Sequence, residues 1–332
     1  VRAVPLSLDA MDIRMIAATA CCTLILAGCT PDAPPTSRTP SAPATTASPS
    51  APTPSTAPSP SPTPTNSPLP DDSFPIAFPI ADTLTTGGAG AVVARLSEVA
   101  GDLPALKLDL TQQQATLTVL QPDGSVAGYR WDNGEITRVD SDFQYLEQAT
   151  FDPSDYPLDS LGRMFDVADL RGVRGQLVLQ VVEYRAGQIV MTVTSRPESK
   201  TVFFRKDGTA VASLGLTSVA DITAGIEEVI GNAEEAYSVS LNPNIGYSAD
   251  LPDEEAGVVV NRTRPADMPT FETRRSESPA NSPFAPALID PEGLARAISR
   301  TQASPDEQCS VTIDMSHGRS GPVEDRRKGV KT

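Results

Sequence analysis

One histidine, one tryptophan and four cysteines are all that 332 residues contain of those types. Ser-His-Asp and Cys-His catalysis need an imidazole beside the nucleophile, and zinc sites need clustered Cys and His. Both chemistries therefore reduce to His317, which sits in a weakly patterned stretch near the end of the chain. Aromatic residues make up only 5%, which suits a soluble domain better than a greasy carrier. Charge is missing too, but only locally: Arg2, Asp9, Asp12, Arg14, Asp32 and Arg38 are the only charged residues among the first 70, and they cancel. Of the 42 acids and 26 bases, 39 and 23 remain for residues 71–332, which thus carry the whole net charge of −16. Such a surface repels phosphate and anionic headgroups and excludes a general DNA or RNA binder.

What the N-terminus does contain is an address. Met11-Asp12-Ile13-Arg14 is a short polar lead, and Met15 to Gly28 is an apolar run of signal-core length, too short to span a bilayer. Val1 fits translation from a non-ATG start codon, and Met11 stands where a signal would begin. The run closes on Leu26-Ala27-Gly28-Cys29, which resembles the lipobox of bacterial lipoproteins. The resemblance implies cleavage between Gly28 and Cys29, after the Cys29 thiol has been joined to diacylglycerol. Residues 1–28 are then the signal peptide, and Cys29 is the lipidated first residue. Two or more acyl chains, palmitate among them, give stable anchoring that a single chain cannot. Cys21 and Cys22 leave with the signal, so Cys309 is the one thiol of the folded part and no intramolecular disulfide is expected. Cys309-Ser310-Val311-Thr312-Ile313-Asp314-Met315 alternates with apolar odd positions, so Cys309 reads as a packed strand residue.

Residues 29–72 read as a disordered tether behind the lipid. From Thr30 to Pro70 there are 14 Pro in 41 residues, most of the rest being Ser, Thr and Ala. So little apolar surface cannot offset the entropy of ordering, and at roughly 3.1 Å per residue a polyproline stretch reaches on the order of 100 Å.

The remainder predicts an α+β fold of tandem helix-plus-antiparallel-sheet repeats. Val92, Val93, Leu96 and Val99 form a helical stripe, followed by alternating Leu106, Leu108 and Leu110, and then by Leu117 and Val119. Asp123-Gly124 and Asn133-Gly134 are hairpin turns on either side of Tyr129-Arg130-Trp131. Leu158, Leu161, Phe165 and Ala168 start a second unit, whose Phe203-Phe204-Arg205-Lys206-Asp207-Gly208 repeats the aromatic, cation, turn order. Ser218 caps a third helix with Ile222, Ile226, Val229 and Ile230, which Gly231 stops, and Asp290-Pro291 opens a fourth through Leu294, Ala297 and Ile298. The units pair into one domain at 75–215 and another at 216–315. Residues 265–286 read as a charged, Pro-rich linker or exposed loop and 316–332 as a basic, poorly ordered tail.

Candidate sites are few. Gly87-Gly88-Ala89-Gly90 opens a helix and could offer N–H groups to a phosphate, but it lacks the P-loop Lys-Ser/Thr and reads as a flexible helix entry. Tyr129, Trp131, Phe203 and Phe204 could line a ligand groove, or pack as sheet-core aromatics. Asp250, Asp253, Glu254 and Glu255 are the one weak calcium candidate, without EF-hand spacing. No other metal and no cofactor is expected. Glu227, Glu228, Glu234 and Glu235 add acidic pairs that could serve glycoside hydrolysis, or simply form a solvated face.

The lipobox and 21 Arg against 5 Lys resemble lipoproteins of high-GC bacteria. The paired units are faintly similar to periplasmic modules of the PepSY or β-lactamase-inhibitor type, which implies inhibition or chaperoning. The expectation is a non-catalytic protein anchored by lipid on the extracytoplasmic face of the cell membrane. It would bind an envelope protein, another envelope component or a small ligand through an exposed sheet face. The alternatives are a carrier of lipid between helix and sheet and a carboxylate-based wall-polymer hydrolase.

Overall fold

Two antiparallel sheets and four helices make up residues 67–185, 187–302, 307–316 and 321–330, the parts of the chain that this computed structural model describes. Mixed helix and sheet fit the α+β class, with strands outweighing helices.

The first sheet has the strand order β1-β5-β4-β3-β2-β6-β7-β8. Its members are β1 (Ile76–Ala77), β2 (Ala105–Leu110), β3 (Gln114–Leu120), β4 (Val126–Asp132), β5 (Glu135–Val139), β6 (Gln176–Arg185), β7 (Gln188–Arg196) and β8 (Val202–Phe204). Asn133 and Gly134, at φ 50° and 83°, both take the left-handed conformation that a two-residue hairpin needs, which fixes the β4–β5 register at Asp132 opposite Glu135. One face of this sheet is covered by α1 (Gly88–Val99) and α2 (Leu161–Leu170). Val92, Val93, Leu96 and Val99 of α1 and Leu161, Met164, Phe165 and Ala168 of α2 are buried against Leu108, Leu117, Leu179 and Val193. The stripe read for α1 is the one that packs; in α2 Met164 joins the expected Leu161, Phe165 and Ala168, and Leu158 is buried in the 3-10 turn before the helix.

The second sheet runs β12-β11-β10-β9-β13-β14, with β9 (Ser238–Asn242), β10 (Gly246–Pro252), β11 (Val258–Arg264), β12 (Phe271–Ser276), β13 (Glu307–Asp314) and β14 (Val323–Val330). It is covered by α3 (Val219–Ile230) and α4 (Pro291–Thr301). The Ser218 hydroxyl accepts from the Asp221 N–H at 3.0 Å and the Asp290 carboxylate from the Glu292 N–H at 3.1 Å, so both caps stand where the sequence put them. Cys309, Val311 and Ile313 point into this core.

Several expectations change. The segment at 316–332 is no loose tail: Val323–Val330 is β14, paired along β13. Residues 265–286 are more than a linker, because Phe271–Ser276 forms β12 on β11. Ordered chain also begins before the expected end of the tether at 72. The Leu69 N–H donates to the Val99 carbonyl at 2.9 Å, and Asp71–Ser73 forms a 3-10 turn.

Between the sheets, Arg264 is wholly buried. Its Nε donates to Glu228 Oε2 at 2.5 Å, and the other nitrogens donate to the carbonyls of Ala212 (2.7 Å), Ala266 (3.0 Å) and Pro265. Glu228 also receives Arg205 at 2.8 Å. Nearby, Met268 packs on Val190, Phe203 and Val211, and the Arg185 guanidinium lies 4.3 Å over the Phe271 ring.

Candidate functional site

An open cleft of about 790 Å3 lies beside α1. One wall is a stripe of small residues on that helix, Gly90, Ala94 and Ser97, with Val93 between them. The other is the irregular segment 150–159, and Leu103 closes the end beyond the helix. Local chemistry holds the irregular wall in place. Phe151 and Ala105 exchange both backbone hydrogen bonds at 2.9 Å, and the Asp152 side chain caps the turn Pro153–Asp155 by accepting from the Ser154 N–H at 2.9 Å. Tyr156 meets Phe151 edge-on with ring centroids 5.5 Å apart.

Asp159 joins the two walls. Its Oδ1 accepts from the Gly90 N–H at 3.2 Å, in the first turn of α1, where a carboxylate offsets unpaired donors and the positive end of the helix dipole. A Cβ on Gly90 would stand 2.5 Å from that oxygen, so only glycine admits the contact. The Gly87-Gly88-Ala89-Gly90 entry thus has a physical reason: the chain's own carboxylate lies where a phosphate was considered.

The cleft is acidic. Among the described residues Asp102, Asp152 and Asp159 line it, and no Lys, Arg or His does. Asp102 sits just past the C-terminal end of α1 with φ 51°, its N–H bonded to the Ser97 carbonyl at 2.8 Å. Its carboxylate forms no hydrogen bond or ion pair among the described residues. The Ser154 hydroxyl and N–H hold the Asp152 carboxyl below the usual carboxylate range. That direction is opposite to the one a general acid needs. Burial, helped by the Asp155 carboxylate, pushes the Tyr156 phenol up to about 12, so it remains a hydrogen-bond donor. Lys206 stands at this end, 5.7 Å from the Tyr156 ring centroid, but its ammonium is held by Asp155 at 2.8 Å.

The residues singled out in the sequence lie elsewhere. Tyr129 and Trp131 face the first core, and the Trp131 Nε1–H donates to the Phe78 carbonyl at 2.9 Å. Phe204 shares that core, while Phe203 points to the opposite face, against Val190, Val211 and Met268. All four are buried and line no groove, because successive strand residues point to opposite faces and both faces are covered here. The calcium candidates do not converge. Asp250 accepts from Asn261 at 2.7 Å and pairs with Arg275 at 2.9 Å, Asp253 faces Arg274 at 3.5 Å, and Glu254 and Glu255 are exposed. Among the described residues no three His, Cys, Asp or Glu side chains could hold a metal. Glu228 is spent on Arg205 and Arg264, and Glu227, Glu234 and Glu235 are exposed. Cys309 is buried and its thiol is pushed up by burial. Gly28, Cys29 and His317 lie outside the described residues.

A smaller, polar hollow of about 240 Å3 lies on the other face of the first sheet, among Lys107, Asp109, Thr116, Thr118 and Arg130. The Lys107–Asp109 ion pair at 2.8 Å and the Gln180 amide on Asp109, also at 2.8 Å, use part of its polar surface.

Sequence comparison finds no matching protein family and no matching curated protein. Among solved structures, a crystal structure of the β subunit from DNA polymerase of Streptococcus pyogenes aligns over 69% of this chain and 78% of that chain, at 12% identity and a TM-score of 0.11. A likeness of that size carries no argument about fold or function.

Proposed function

We propose that this protein is a non-catalytic component of the cell envelope, anchored through lipid on Cys29 to the extracytoplasmic face of the membrane, and that it binds its ligand in the cleft beside α1. The cleft carries the reading. At about 790 Å3 it falls within the range of ligand sites, with an apolar wall of Val93, Leu103, Phe151 and Leu158 under a polar rim. On the expected exposed sheet face the first sheet holds the smaller polar hollow, so the helix side is the better place for a ligand. The lipobox and the Pro-rich stretch support the anchoring, since a ligand-binding domain held off the membrane needs a fixed end and reach.

The folded part is read as two pairs of one helix-then-meander unit. In each half, the first strand after one helix pairs antiparallel with the first strand after the next: β2 with β6, and β9 with β13. A second reading, lipid carriage, is favoured by the same apolar wall, which could take an acyl chain lying along α1.

The test is native mass spectrometry of protein purified from envelope, with Ala94→Arg as a variant that fills the cleft from an exposed helix position. Adducts present on the parent protein and lost from the variant support the cleft, and acyl masses among them select the carrier. Equal adducts on both refute it. For the anchor, Cys29→Ser should abolish labelling by a palmitate analogue; undiminished labelling would remove Cys29 from the proposal.

A further inference from the structure

The cleft is a trench with a carboxylate at each end. Asp159 stands at the first turn of α1 and Asp102 just past its last. Gly90 and Val99, the last helical residue, are 9 positions apart in the sequence, and Asp102 folds back onto the Ser97 carbonyl, so at about 1.5 Å of rise per residue the two ends lie about 14 Å apart. An extended peptide covers this in about five residues at about 3.3 Å each. The small side chains of Gly90, Ala94 and Ser97 leave room along the helix for a backbone, and Val93, Phe151 and Leu158 offer apolar contact beneath it.

Charge selects among such segments. Among the described residues, Asp102, Asp152 and Asp159 line the trench without a lining Lys, Arg or His, and Lys206 at one end is held by Asp155 at 2.8 Å. Asp102 adds its charge to the negative end of the helix dipole, where a carboxylate is unfavourable unless a cation faces it. Lys and Arg at the two ends of a bound segment would meet that field, and an acidic segment would be repelled.

We propose that the cleft takes an extended segment of a partner protein with a basic side chain at each end and apolar side chains between. This rests on the cleft being the binding site, and its test separates the two claims. The probe is a fluorescein-labelled peptide, Lys-Leu-Ala-Leu-Lys, titrated by anisotropy with the detergent-solubilised full chain and compared with Gln-ended and Glu-ended versions. The Lys-ended peptide should bind, lose affinity as salt is raised, and outcompete the other two. Asp102→Asn keeps a residue suited to its left-handed backbone, so the fold is retained, and should weaken binding by up to about fivefold, the effect of one exposed ion pair. Ala94→Arg should abolish binding.

If the Gln-ended peptide binds equally well and Ala94→Arg still abolishes it, the cleft stands and its preference for cations falls. Binding of the Lys-ended peptide unaffected by Ala94→Arg overturns both claims. A linear alkyl diamine that displaces the peptide at equal concentration makes the occupant a small dication and overturns the peptide. If no peptide binds, the inference is refuted, and the mass-spectrometric comparison with Ala94→Arg decides the cleft separately.

Discussion

Replacing Arg264 with Met should uncouple the two sheets before it unfolds either. The guanidinium is fully buried, and its bonds to Glu228 and to the carbonyls of Ala212, Pro265 and Ala266 tie α3, the segment leaving β8 and the turn after β11 to one point. Bonds to a charged group contribute roughly 1.5–3 kcal/mol each when no water replaces them. Here water can replace some: Ala212 and Ala266 are exposed residues, and Glu228 keeps Arg205 at 2.8 Å, so no charge is left orphaned. Methionine also retains part of the packing. The net loss is therefore about 3 kcal/mol, at the lower end of what breaking a buried ion pair costs. With a urea slope of about 2–3 kcal/mol per M, the midpoint falls by about 1 M. Trp131, the single tryptophan, lies in the first core and reports that sheet alone, whereas far-UV circular dichroism reports both. In the parent protein the two signals should coincide; in Arg264→Met the dichroism should begin to change at lower urea than the fluorescence. Coincident curves with a midpoint unchanged within error would refute the assignment of Arg264 as the coupling residue.

Three further predictions concern packing and protons. Gly225 of α3 lies against the Tyr247 ring, where a Cβ would stand 2.5 Å from ring carbons, so Gly225→Ala should lower stability by about 1–3 kcal/mol in a thermal melt despite alanine's better helix propensity. The Tyr129 hydroxyl is buried without a hydrogen-bond partner among the described residues, so Tyr129→Phe should leave the melting temperature unchanged or raise it; a fall equivalent to more than about 1 kcal/mol would reveal a further partner. The Tyr156 phenol is raised from 10.0 to about 12, so the folded state keeps a proton that the unfolded chain releases; stability is full below the lower value and falls as pH rises through that window. Tyr129 and Tyr247 shift the same way, so Tyr156→Phe should flatten the alkaline decline in melting temperature only in part.

The helices and central strands were legible because burial leaves a periodic mark. Val92, Leu96 and Val99, or Cys309, Val311 and Ile313, must be apolar at those spacings or the layers cannot close. The edge strands leave no such mark. Val-Glu-Asp-Arg-Arg-Lys-Gly-Val at β14 reads as a tail because its place comes from a backbone ladder to β13, and its side chains from Glu324 to Arg327 are exposed. β10 leaves a weak mark for another reason: the turn before it, Asn242-Pro243-Asn244-Ile245, lacks the Asn-Gly or Asp-Gly signal of a two-residue hairpin, so nothing local assigns Tyr247, Ala249 and Leu251 a partner strand. The cleft was hidden because its walls are some sixty residues apart in the sequence. Its local signals are the glycine at position 90 and the Asp-Pro-Ser cap at 152–154, and nothing in either one points to the other. The aromatic residues misled in the other direction, since scarce large side chains in a small-residue sequence are drawn to the core first.

If the protein is held on a membrane by lipid as proposed above, its four sheet margins bear on its behaviour at high surface density. β1 and β8 are two and three residues long, too short to template another strand. The outer strands of the second sheet carry charges of both signs, with Glu272, Arg274 and Arg275 on β12 and Glu324, Asp325, Arg326 and Arg327 on β14. Molecules confined to a plane meet edge to edge far more often than the same molecules in bulk, and an open strand would knit them into a lattice. Short or charged margins deny that route, so neighbouring copies can crowd while each keeps its α1 cleft open.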